Sequence, residues 1–71
     1  MRKKLKIEIV AVGMRHHEVA ALLNLKLPPE HRPLTEHGVT LLVTGRRQPS
    51  EDEREALAEV LGKRTWELFE N

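Results

Sequence analysis

Short apolar runs alternate with polar segments along this chain of 71 residues, and their spacing predicts helices. The most regular run covers residues 50–61, where four aliphatic residues recur at helical spacing: Ala56, Leu57, Val60 and Leu61. Ser50 and Glu53 have the spacing of a capping box, and Gly62 follows as a helix-ending residue. This segment is therefore predicted to form a helix whose start and end are both marked in the sequence.

Three further segments are predicted to be helical. Residues 15–24 place Val19, Leu22 and Leu23 on one face. Residues 35–44 have Thr35 as N-cap and Gly45 as the end, with an apolar stripe made of Val39, Leu42 and Val43. The β-branched residues of "VTLLV" also permit a strand there. A short last helix is expected over residues 65–70, which contain Trp66, Leu68 and Phe69.

Two segments are less regular. Between residues 5 and 12, Leu5, Ile7 and Ile9 alternate with charged residues as in a strand, whereas Leu5, Ile9 and Val12 have helical spacing. Residues 26–34 contain Pro28, Pro29 and Pro33, which predict a loop or an extended arm. With four or five short helices, the chain is expected to be a small all-α bundle.

Composition limits the class of protein. Seventy-one residues form one small domain, and the absence of cysteine excludes a disulfide scaffold and zinc sites of the cysteine type. No apolar run approaches the roughly 20 residues of a membrane span, and the first residues are too charged for a signal peptide. These features favour a cytoplasmic protein. The net charge is only +1, but basic residues cluster at positions 2–6 and 46–47.

The residues that usually perform catalysis or bind metals do not form a recognisable set. The histidines lack metal-ligand spacing, and adjacent ones on a helix point about 100° apart; they are His16, His17, His31 and His37. No nucleophile triad, glycine-rich phosphate loop or pair of carboxylates is apparent. We therefore expect no enzyme activity, no metal and no cofactor.

The second half of the chain carries the clearest resemblance. "TGRRQPSEDEREALAEVLGKRTWELF" resembles the second half of a Cro/phage-repressor-type (XRE) helix-turn-helix domain, in which a glycine and basic residues follow the recognition helix. "GMRHHEVAALLNL" is similar to the first motif helix of that family, and "LTEHGVTLLVTG" to its recognition helix. The resemblance implies a single domain over residues 1–71, a five-helix bundle of the lambda-repressor-like type. Residues 26–34 depart from the family as a proline-rich insertion in the turn.

The resemblance also implies a function. The chain would be a sequence-specific, double-stranded DNA-binding transcriptional regulator, repressor-like and of phage or plasmid type, acting as a homodimer or higher oligomer. Base edges in the major groove would be read from helix 35–44 by Thr35, Glu36, His37 and Thr40. Phosphates would be bound by Arg15, His16, Arg46 and Arg47. The family usually has a side-chain cap where Arg15 stands, and this cap is lost here.

Alternatives remain at the sequence level. A helix-turn-helix fold without DNA readout could serve as a protein-interaction module, such as an adaptor, an assembly subunit or an inhibitor of a transcription factor. The 26–34 loop and an exposed Leu41 on the reading face would suit a protein partner. Arg47 could also be a solvated residue that balances Glu51 or Asp52. Trp66 and Phe69 are expected to close the core or to contact a second copy.

Overall fold

The computed structural model describes residues 1–69, and within them the chain forms five α-helices and no strand. The helices are α1 (Lys3–Ala11), α2 (His16–Lys26), α3 (Glu36–Thr44), α4 (Glu51–Leu61) and α5 (Thr65–Phe69). This confirms the predicted all-α bundle. Position 70, where the last helix was expected to end, lies outside the described residues.

Helices α3 and α4 begin and end where their sequence signals lie. The Thr35 hydroxyl accepts a hydrogen bond from the Gly38 nitrogen at 3.1 Å, and Gly45 ends α3 with φ of 84°. At α4, Ser50 Oγ accepts from the Glu53 nitrogen at 3.1 Å while Glu53 Oε1 accepts from the Ser50 nitrogen at 2.9 Å. Both caps satisfy backbone groups that a helix end leaves unpaired. The alternative of a strand at "VTLLV" is wrong.

The ambiguous N-terminal segment is also a helix. Leu5 and Ile9, one helical turn apart, are buried in the core, whereas Ile7 is 62% exposed. A strand would have turned Leu5, Ile7 and Ile9 to the same face. Burial thus follows the helical spacing rather than the alternation.

The core is aliphatic and lies where all five helices meet. Helix α2 packs against α3 and α4, and α1 packs against α3 and α5. Fourteen buried apolar residues form this core: Leu5, Ile9, Val19, Ala20, Leu23, Leu34, Val39, Leu42, Val43, Ala56, Leu57, Ala58, Leu61 and Leu68. The α3 stripe inferred from the sequence, Val39, Leu42 and Val43, is entirely inside it, so one face of α3 holds the helix to the bundle and the other is left for contacts outside it.

The proline-rich segment is an ordered loop. Lys26 belongs to α2, so the segment between helices starts one residue later than predicted. Asn24 binds Leu34 at both backbone positions: Nδ2 donates to the carbonyl oxygen at 2.9 Å, and Oδ1 accepts from the nitrogen at 2.8 Å. Leu34 itself is buried. The two ends of the insertion are therefore held side by side, and α3 starts from a defined point.

Helix α5 corrects one prediction about the core. Leu68 closes the bundle at 1% exposure, while Trp66 is 55% exposed. Phe69 is partly buried and packs against the core, with the Arg54 guanidinium 5.8 Å from its ring centre. Trp66 therefore does not close the core. Its other predicted role, contact with a second copy, stays a prediction.

Candidate nucleic-acid interface

Helices α2 and α3 are joined by a hydrogen bond between two residues that the sequence assigned to DNA contact. His16 Nδ1 and Thr40 Oγ1 are 2.8 Å apart, and Thr40 Oγ1 also lies 3.1 Å from the Glu36 carbonyl oxygen. That carbonyl only accepts, so the threonine hydroxyl donates to it and His16 Nδ1 donates to the hydroxyl. The start of α2 is thereby fixed against the middle of α3. His16 Nε2 is left as its remaining polar atom.

The start of α2 has only half of a capping interaction. Glu18 Oε1 accepts from the Arg15 nitrogen at 2.8 Å, whereas the Arg15 side chain, which has donors only, caps nothing. The loss of the side-chain cap is thus confirmed. The Arg15 side chain is exposed and keeps its donors available beside the first turn of α2. A helix N-terminus with an exposed cation beside it is a favourable place for an anion.

The four residues expected to read bases differ in exposure and in which of their hydrogen-bonding groups are already used within the protein. Glu36 and His37 are exposed in the first turn of α3, and Glu36 lies 3.8 Å from His17 Nδ1. Thr35 uses its oxygen as the helix cap but keeps a hydroxyl hydrogen. Thr40 has its hydroxyl hydrogen bound to Glu36 and retains only acceptor capacity. The free donors of this face are therefore at the N-terminal end of α3.

Arg46 and Arg47 occupy different environments at the other end of α3. Arg46 is exposed, and its nitrogen donates to the Leu41 carbonyl oxygen at 3.0 Å. Arg47 Nη2 donates to Glu53 Oε2 at 2.6 Å, and the Glu53 side chain is fully buried. The ion partner of Arg47 is thus Glu53 rather than Glu51 or Asp52. Only Arg46 of the pair has no ion partner among residues 1–69.

The basic start of the chain lies next to this arginine pair. The Arg2 nitrogen donates to the Val43 carbonyl oxygen at 2.8 Å, and its guanidinium donates to the carbonyl oxygens of Leu42 and Arg47. Arg2 therefore neutralises the negative C-terminal end of α3. Lys3 and Lys4 follow at the start of α1 and are exposed. Arg2 thus joins the start of the chain to the segment that contains Arg46 and Arg47.

Sequence reasoning missed several residues that organise this region. His31 of the insertion lies 3.3 Å from Glu53 Oε2, and Arg2 is an internal clamp rather than a free cation. Glu53 was recognised as a capping residue, but nothing local indicated that it would also be fully buried. Leu41 was expected to be exposed and is partly buried instead.

Two other kinds of site were sought in the described part of the chain. Over residues 1–69, no three or more His, Cys, Asp or Glu side chains are grouped to hold a metal ion. In the same range, no helix has the length and apolar character needed to cross a membrane.

Comparison with models of protein families, with curated proteins and with solved structures found no match to this chain.

Proposed function

We propose that this protein is a sequence-specific, double-stranded DNA-binding regulator of transcription that inserts α3 into the major groove. The observation that carries the proposal is the hydrogen-bonded contact between His16 of α2 and Thr40 of α3, which we call the α2–α3 joint. Because His16 Nδ1 binds Thr40 at 2.8 Å, the exposed start of α2 and the exposed face of α3 form a single surface. That is the arrangement in which one helix reads bases while its neighbour contacts the backbone.

The dimensions of α3 suit this role. An α-helix with its side chains is about 10–12 Å in diameter, which fits the major groove of B-DNA, about 12 Å wide. Cations lie near both ends of the reading surface, with Arg15 at the start of α2 and Arg46 after α3. Such a helix can reach base edges while the arginines contact phosphates on either side.

Base reading is assigned chiefly to the first turn of α3. His37 is exposed there, and the Glu36 carboxylate can accept from a cytosine amino group. Thr35 can donate its hydroxyl hydrogen, whereas Thr40 can only accept. Phosphate contact is assigned to Arg15 and Arg46, and to His16 when its Nε2 also carries a proton, with Arg47 conditional on its release from Glu53.

A single α3 reads only a few base pairs, so we propose that the protein binds as a homodimer on a two-fold site. Surfaces for a second copy are available away from the α2–α3 joint. Ile7 and Val10 lie one turn apart on α1 and are 62% and 66% exposed. Trp66 on α5 is exposed as well. Sedimentation with and without duplex DNA measures this stoichiometry.

The first test is selection from random duplexes followed by affinity measurements at several salt concentrations. We expect an enriched motif and affinity that falls steeply with salt, because phosphate contacts release counterions. If no motif is enriched and added salt causes no loss of binding, the proposal is wrong.

Arg46→Ala is expected to weaken binding to all duplex sequences alike and to reduce the slope of log affinity against log salt by about 1 for each protomer of the bound dimer. The physical reason is the loss of one phosphate contact that carries no sequence information. Fluorescence anisotropy with a selected and a scrambled duplex measures both quantities.

Arg64→Ala is the matched control for Arg46→Ala. Arg64 is also exposed, but it lies beyond the C-terminal end of α4. The loop from α3 enters α4 at its other end, about 16 Å away along the helix axis. This variant should bind like the unmodified protein. An equal loss in both variants would show that Arg46 acts only through net charge.

A further inference from the structure

The buried carboxylate of Glu53 contacts side chains from two loops, the one between α2 and α3 and the one between α3 and α4. Its Oε1 accepts from the Ser50 nitrogen at 2.9 Å. Its Oε2 lies 2.6 Å from Arg47 Nη2 and 3.3 Å from His31 Nε2. Glu53 is fully buried, whereas 17% of the His31 side chain and 39% of the Arg47 side chain are exposed. One carboxylate oxygen therefore faces two cationic side chains, of which Arg47 is the more exposed.

The contacts of His31 identify which of its forms fits this site. Nδ1 lies 2.7 Å from the Arg32 carbonyl oxygen, which only accepts. Nε2 faces the Glu53 carboxylate, which also only accepts. The imidazolium alone donates on both sides, because a neutral ring with its proton on Nδ1 would turn the Nε2 lone pair towards Oε2. The protonated ring therefore keeps both contacts, whereas the neutral ring keeps only one of them.

Arg47 cannot leave Glu53 without a replacement. A buried carboxylate without a cationic partner costs several kcal/mol. Arg47, however, is the partly exposed member of the group, and its guanidinium has five donors suited to phosphate. Whether Arg47 can reach a phosphate depends on what else neutralises Glu53.

We propose that His31 is a positioning residue for Arg47: when Arg47 turns to a DNA phosphate, the His31 imidazolium neutralises Glu53, so that DNA binding is coupled to proton uptake. This inference rests on the proposed DNA-binding function and adds a regulatory role for the insertion. The proton balance is simple. A neutral His31 gains one proton from solvent on binding, and Arg47 keeps its own charge throughout.

The direction of the pH dependence follows from the groups that face His31. Among residues 1–69 these are Glu53 on α4 and Arg47 in the loop between α3 and α4. Glu30 and Arg32 flank His31 in the sequence, and both are exposed. Because histidine loses its proton as pH rises through the neutral range, DNA affinity should fall from pH 6 to pH 8.

The test compares five proteins on one short fluorescent duplex at constant ionic strength between pH 6 and pH 8. Through His31 the unmodified protein is expected to lose affinity by at most tenfold per pH unit for each bound protomer, the limit for one proton. His31→Gln should bind less tightly at pH 6 and lose that part of the pH dependence. His31→Arg keeps a permanent cation beside Glu53 and should bind tightly at both pH values. The other histidines are present in every variant, so the difference between variants isolates His31.

Arg47→Gln is the fourth protein and separates positioning from general structure. In the fifth protein, which combines Arg47→Gln with His31→Gln, the pH profile of binding should match that of Arg47→Gln alone. The reason is that no Arg47 side chain remains to be released from Glu53. NMR of the His31 Cε1–H resonance at pH 7 gives a readout without DNA. Arg47→Gln should move it towards its acid limit, and Arg46→Gln should not.

The outcomes are distinguishable. If salt-dependent DNA binding persists and His31→Gln keeps the full pH profile, His31 does not position Arg47, and the proposed function stands. An unmoved His31 resonance in folded Arg47→Gln would also overturn the inference. If the unmodified protein does not bind duplex DNA at all, both proposals are wrong.

Discussion

Leu42→Ala is expected to lower the free energy of unfolding by about 3–4 kcal/mol. Leu42 is fully buried, and it lies on the inner face of α3 between Val39 and Val43. Removing its side chain takes away buried apolar surface and leaves a cavity that rigid helices fill only in part. A domain of this size has a stability of only a few kcal/mol, so most of it would be lost.

Urea denaturation followed by circular dichroism measures this effect. Leu25→Ala is the matched control, because the same substitution removes a leucine that is 78% exposed on α2. It should change the stability by less than about 0.5 kcal/mol. A Leu42→Ala protein that unfolds at the same urea concentration as Leu25→Ala would contradict the burial of α3 described above.

Glu53→Ala is expected to cost about 2–3 kcal/mol, the second largest effect. The substitution removes the capping acceptor of the Ser50 nitrogen and leaves His31 and Arg47 facing each other without an anion. The loss should be smaller than for a fully buried ion pair, because the partly exposed Arg47 side chain can return to solvent.

Thermal unfolding of Glu53→Ala, Glu53→Gln and Glu55→Ala tests this estimate. Glutamine keeps one acceptor for the Ser50 nitrogen, so Glu53→Gln should retain the cap but lose both the charge and the acceptor that faces Arg47 and His31. Glu55 is exposed on the same helix, and its removal should change little. If Glu53→Ala is as stable as Glu55→Ala, the buried carboxylate does not hold these loops together.

The capping residues and glycines at the ends of α3 and α4 were sufficient to predict where these two helices begin and end. Thr35 and Ser50 are side-chain caps, and Gly45 and Gly62 adopt positive φ after α3 and α4, so those boundaries were predictable within a residue or two. Helix α1 has no side-chain cap, and two periodicities fit it. Only the packing of Leu5 and Ile9 against the other helices decided between them, and packing is a property of the whole fold.

The candidate site was less predictable because its contacts join distant parts of the chain. The first turn of α3 could be inferred from the resemblance, but the path of a proline-rich insertion is not specified by local pattern. For that reason the contact of His31 with Glu53 could not be foreseen. Trp66 was misjudged for a related reason. A helix of five residues buries only one of its faces, and in α5 the buried face contains Leu68 rather than Trp66.

The pair of hydrogen bonds between Asn24 and Leu34 has a consequence for protein engineering. Since the ends of the insertion are held together by two hydrogen bonds, its exposed tip at Pro29 and Glu30 can vary in length without moving α2 or α3. Each doubling of loop length costs only about 0.6 kcal/mol of closure entropy. A peptide tag or a second binding segment grafted at this tip would be held on a fixed base.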